Sequence, residues 1–137
     1  MIGLDTNVIV RLLTNDEPEH VAVAQRYLQN RCSDSNPAWI GIIATIETVW
    51  VLQSRYRFDR ATIADAFERI LRAAHVVFEA EEHVTAALAE YRDGADFSDA
   101  LMSRLNRAEG CTTTITFDRR AASQLDGLTL LAADGVP

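Results

Sequence analysis

Apolar residues run along the chain in two alternating rhythms: brief continuous stretches, and longer ones in which they recur every three or four positions. The brief stretches are residues 1–4, 38–42, 75–78, 112–117 and 128–131. Their β-branched, aromatic and aliphatic content, set between Asp, Asn, Gly or Pro, predicts short strands. Helical spacing predicts helices over residues 8–13, 19–30, 44–55, 60–73, 81–91, 97–108 and 119–125. In the second of these Val21, Ala24, Tyr27 and Leu28 share a face, in the fourth Ile63, Ala66, Phe67, Ile70 and Leu71, and in the sixth Leu101, Met102 and Leu105 are spaced for burial. The punctuation agrees, with Asp5-Thr-Asn7 and Asp59 as N-cap signals and Asp93-Gly94 and Gly110 as stops. Short strands alternating with helices predict an α/β fold, a three-layer α/β/α sandwich around a central, mostly parallel sheet of about five strands. With no repeat, low-complexity tract or linker in view, residues 1–137 read as one domain.

In parallel sheets ligands bind beyond the carboxyl ends of the strands. Asp5 and Asp118 are each the first polar residue after a predicted strand, so both are expected on that edge. Each also has a plain structural role open to it, as the N-cap of the helix that follows. Asp96 and Asp99 stand three apart at a helix start, a spacing that serves either a capping pair or two ligands on one face. Glu47 is different, because its helical neighbours Ile43, Ala44, Trp50 and Val51 are apolar. A carboxylate on such a face, if buried, needs a cation, a partner or a proton.

Composition narrows the chemistry. A chain of 137 residues that is 48% hydrophobic can bury a core without disulfides. Cys32 and Cys111 lack zinc-site spacing and read as buried or half-buried thiols. Every one of the 13 basic residues is arginine, which removes P-loop and Schiff-base lysine chemistry. The net charge of -7 is the wrong sign for broad electrostatic attachment to nucleic acid, so any such contact must be local. His20, His75 and His83 have no nucleophile at a useful spacing and read as structural or surface groups. Trp39 and Trp50 read as core or interface anchors rather than stacking platforms, and Arg55, Arg57 and Arg60 as either a basic contact surface or solvated helix ends. No apolar run approaches a spanning length or a signal peptide, so a cytoplasmic protein without membrane contact is expected.

Were the acidic residues to converge, their repulsion would require raised pKa values or divalent cations. All-oxygen donors suit Mg²⁺ or Mn²⁺, ions that activate water for hydrolysis of a phosphodiester, whether one is used or two. At these residues the chain resembles the PIN-domain family, and within it the VapC-type toxins of bacterial toxin–antitoxin pairs. The resemblance rests on Ile2-Gly-Leu-Asp-Thr-Asn-Val8, the Glu47 helix, Ala95-Asp-Phe-Ser-Asp-Ala-Leu101 and Thr116-Phe-Asp118, in that order. It implies a metal-dependent endoribonuclease acting on structured RNA, inhibited by a cognate VapB-type antitoxin, and homodimeric. It also implies that Asp5, Glu47 and Asp99 form the core acidic triad, with Asp118 a less uniform fourth acid and Asp96 an additional one. Thr6, Asn7 and Thr116 look like groups that orient the carboxylates, and Arg119 and Arg120 are either phosphate contacts or solvated side chains. Two other classes remain open. A receiver-like phosphoacceptor module would need an adjacent acidic pair after the first strand and a lysine after a later one, neither of which this chain has, and a catalytically silent binding protein would keep the fold without the chemistry.

Overall fold

The structure is a computed structural model and describes residues 1–131; the end of the expected domain, residues 132–137, lies outside the described residues. Among the described residues the order is β1 (Ile2–Gly3), α1 (Thr6–Thr14), α2 (Pro18–Arg31), β2 (Ala38–Ile40), α3 (Ile42–Ser54), α4 (Arg60–Leu71) and β3 (Val76–Phe78). It continues through α5 (Glu81–Arg92), α6 (Phe97–Ala108), β4 (Thr114–Thr116), α7 (Arg119–Gln124) and β5 (Leu128–Leu130). Strands are short, helices separate most of them, and every pairing between named strands is parallel, the α/β pattern that the hydrophobic rhythm predicts. Rather than one hydrogen-bonded sheet, the strands form two, β1-β2-β3 and β4-β5. Strands of two or three residues give each edge few N–H and C=O groups with which to extend a ladder.

The chain packs as two compact units, Met1–Glu81 and a second that begins at Glu82. In the first, Ile2 pairs with Ala38 and Ala38 with Val76, so β1, β2 and β3 point the same way. Ile9, Val10, Ile40, Val49, Leu52, Ile63, Phe67 and Phe78 are buried there, Phe67 and Phe78 meeting at 6.4 Å between ring centres. The caps follow local chemistry. Asp59 accepts from the Thr62 amide at 2.8 Å to start α4, and Asn15 ends α1 in the left-handed region, which Asn tolerates. Gly41 begins α3 but has no side chain to cap it, so the Glu79 carboxylate beyond β3 accepts the Ile42 N–H instead at 2.8 Å. The Tyr56 hydroxyl donates to Asp16, and that bond holds the Asp16 carboxyl below its usual range.

In the second unit β4 and β5 pair in register from Thr114 with Leu128 to Thr116 with Leu130. Val84, Leu88, Tyr91, Phe97, Leu101, Leu125 and Leu128 are buried, with Tyr91 and Phe97 in edge-to-face contact. Met102, expected on the buried face of its helix, is exposed, because the buried stripe of α6 runs through Phe97, Ala100, Leu101 and Ser103. Cys32 is half-buried as expected, whereas Cys111 is exposed in the turn after α6. No helix among the described residues is long and apolar enough to cross a membrane.

Candidate active site

In the first unit the parallel pairing of β1 and β2 puts Asp5 and the start of α3 at the same edge. Asp5 caps α1, its Oδ1 accepting the Thr6 amide at 2.7 Å. The Thr6 hydroxyl in turn donates to Glu47 Oε2 at 2.7 Å, so one residue ties both carboxylates to the same helix end. A bond of this kind fixes which way Glu47 points, the orienting role expected of Thr6. Asn7 is exposed on the first turn of α1.

Glu47 itself is exposed, as are Ile43 and Trp50 on either side of it. Its apolar neighbours therefore do not bury this carboxylate, and the partner it has is the Thr6 hydroxyl. α3 is apolar almost all round, and the face turned inward carries Thr45, Thr48, Val49 and Leu52. Thr45 is accommodated there by bonding back to the Gly41 carbonyl at 2.9 Å. Neither is Trp50 a core residue, and Trp39 on β2 is only half-buried.

In the second unit Asp96 caps α6, accepting from the Asp99 amide at 3.0 Å and the Ser98 hydroxyl at 2.6 Å. Asp118 caps α7 by accepting from the Ala121 amide at 3.0 Å, while its own amide donates to Thr116 Oγ1 at 3.0 Å. The capping alternatives for Asp5, Asp96 and Asp118 are thus realised. Capping engages Oδ1 of Asp5 and Asp118 and Oδ2 of Asp96, and so leaves the other oxygen of each for a further partner. Asp99, half-buried at the third position of α6, is the perturbed group. Burial raises its carboxyl pKa above the ordinary value, and the like charges of Asp96 and Asp118 raise it further.

No group of three or more His, Cys, Asp or Glu side chains suited to one ion is assembled among the described residues. Three of the five predicted acids, Asp5, Asp96 and Asp118, are held at helix starts by their caps. The donors present nevertheless suit a hard divalent cation, being carboxylate oxygens with hydroxyls behind them and one carboxyl already under like-charge pressure. Arg119 and Arg120 are exposed on the first turn of α7. Sequence reasoning did not find Ser98, Glu79 or the exposed Phe117 beside Asp118. A glycine at the α3 cap position was the only available sign of Glu79, since the amides it cannot serve must find an acceptor elsewhere.

The family model described as PIN domain matches residues 2–128. No curated protein matches the chain.

Proposed function

The chain belongs to the PIN-domain family, whose members are typically metal-dependent nucleases, and on that premise we propose that it is a Mg²⁺- or Mn²⁺-dependent endoribonuclease, the toxin half of a type II toxin–antitoxin pair. The supporting observation is Asp99, a half-buried carboxyl pressed by Asp96 and Asp118 into an electrostatic position that a divalent cation relieves. On this reading residues 1–137 act as one nuclease domain, in which Asp5, Glu47 and Asp99 hold the cation, Asp118 completes its ligands and Asp96 adds a further acid. A bound Mg²⁺ supplies acidity to water and neutralises charge developing on the scissile phosphate.

The chain's own groups set up that chemistry. Thr6 aims Glu47 through its hydroxyl, and Ser98 orients Asp96. Thr116 holds the backbone at Asp118, so the carboxylate is fixed at the start of α7 while one oxygen remains for the metal. Arg119 and Arg120 offer planar contacts to phosphate, and Asn7 a polar group beside Asp5. We further propose that the protein works in the cytoplasm as a homodimer and is silenced by a cognate VapB-type antitoxin. Exposed apolar side chains such as Val23, Tyr27 and Met102 are the kind of surface such partners cover.

Antitoxin-free protein should cleave RNA with Mg²⁺ or Mn²⁺ and stop when the metal is chelated. Full activity in an Asp5→Asn variant would overturn the mechanism. Absence of metal binding at millimolar Mg²⁺ would instead favour a silent member of the family.

A further inference from the structure

Away from the acidic residues, the second unit holds a polar cavity of about 340 Å³ between α5, α6 and the turn into β5. That volume sits at the small end of the roughly 300–1,000 Å³ typical of small-molecule sites. Asp96, Asp99 and Asp118 do not line it, and its walls reach Arg107, about 12 Å along α6 from Asp99. Gly127 forms the floor. A Cβ there would collide with the Ser103 hydroxyl, and Nη2 of Arg107 lies 3.3 Å from the point that Cβ would occupy, so the missing side chain is what lets the serine and the guanidinium come down onto the turn. Ser103 is 8% exposed, and its hydroxyl has no hydrogen-bond partner among the described residues, although a helical serine can bond back to the carbonyl four residues earlier. A buried hydroxyl left in this state costs free energy that a ligand recovers. Arg104 on the same wall is paired with Glu90. Arg107 and Asp126 both line the cavity, yet neither has a partner among the described residues, each other included.

We propose that this cavity binds a free α-amino acid, its carboxylate held by Arg107 and the Ser103 hydroxyl and its ammonium by Asp126. Arg104 and Arg107 against Glu90 and Asp126 leave the walls without net charge when His83 is neutral. A simple anion such as phosphate would face both carboxylates, and a simple cation both arginines. A zwitterion instead offers each unpaired charge its opposite. The carboxylate and ammonium of an α-amino acid stand on one carbon, which suits two protein groups that flank a single residue, Asp126 preceding Gly127 in the chain and Arg107 lying over it. Guanidinium and carboxylate also match in plane, so the contact with Arg107 can be made through two hydrogen bonds.

The test uses the full chain with a metal chelator present, so that ions at the acidic residues play no part, and adds each standard α-amino acid in turn at millimolar concentration. At least one should raise the melting temperature. Calorimetric titration with that amino acid should give a Kd that Arg107→Gln and Asp126→Asn each weaken by about tenfold or more. Both side chains are exposed, so the unliganded variants should melt with the native protein. The same amino acid with its carboxyl amidated, or with its amine acetylated, should bind the native chain at least about tenfold more weakly, a comparison that needs no variant. An unmoved melting temperature across all the amino acids overturns the proposal. So does unchanged affinity in both variants, which places the ligand elsewhere on the chain. Binding of inorganic phosphate or a nucleoside monophosphate as tightly as the best amino acid, and lost in Arg107→Gln, also overturns it and reassigns the cavity to an anion. The readout is binding, so the outcome is independent of whether the chain cleaves RNA.

Discussion

At the scale of single residues, the acidic side chains serve two purposes that substitutions can separate. Asp118 caps α7 with one oxygen, and asparagine caps about as well as aspartate. Asp118→Asn should therefore melt with the native protein while losing at least about tenfold in Mg²⁺-dependent cleavage. Asp118→Ala should lose the same activity and in addition about 1 kcal/mol of stability. Full cleavage by Asp118→Asn would leave the residue a cap and nothing more. Asp99 makes the opposite case, since its charge is costly where it stands. Asp99→Asn is expected to raise the melting temperature of the metal-free protein at neutral pH, because it removes a carboxylate that burial, Asp96 and Asp118 all disfavour. Mg²⁺ at a hundredfold excess over its Kd should stabilise the native chain by about 2.7 kcal/mol and the variant by much less. Equal stabilisation of the two, followed by thermal melting, would remove Asp99 from the metal site.

At the scale of elements, helix starts were the most legible features. Asp5, Asp59 and Asp118 cap the helices that their positions predict, because the N-cap bond depends on residues only one to three apart. Asp59 also gives a pH prediction. The bonds from Thr62 hold its folded pKa below the ordinary carboxylate value. Its contribution to stability is therefore complete above the unfolded pKa and lost as the pH falls through the folded one. Asp59→Ala should melt below the native protein at pH 7, and the two melting curves should converge as the pH drops below about 4. A gap undiminished at about pH 2 would contradict that account. Which face of a helix is buried was less legible. α3 is apolar on nearly every side, so its sequence fixes the helix but not its rotation, and Glu47, Ile43 and Trp50 turned outward. The spacing of Met102 misled for a related reason, since α6 buries the stripe through Ala100 and Leu101 instead.

At the scale of the whole molecule, charge makes the prediction. With a net charge of -7, RNA attachment through the exposed Arg55, Arg57, Arg119 and Arg120 should give only a shallow salt dependence. The slope of log kcat/KM against log salt should be no steeper than about -3, at roughly 0.7 per phosphate neutralised on a single strand. A steeper slope, measured with single-stranded RNA, would require a basic surface that the composition does not contain. The sequence by itself determined the order and type of the elements, the parallel α/β class, the capping aspartates and membership of the PIN-domain family. These follow from local periodicity, short-range hydrogen bonds and motif order, all of which are written along the chain. Only the tertiary structure decided that Thr6 reaches Glu47 across 41 positions, that Glu79 caps α3, that Asp96 and Asp118 press on Asp99, and that Trp50 faces water. Those facts depend on which residues far apart in sequence meet when the strands pair and the helices pack, and local periodicity does not encode such meetings.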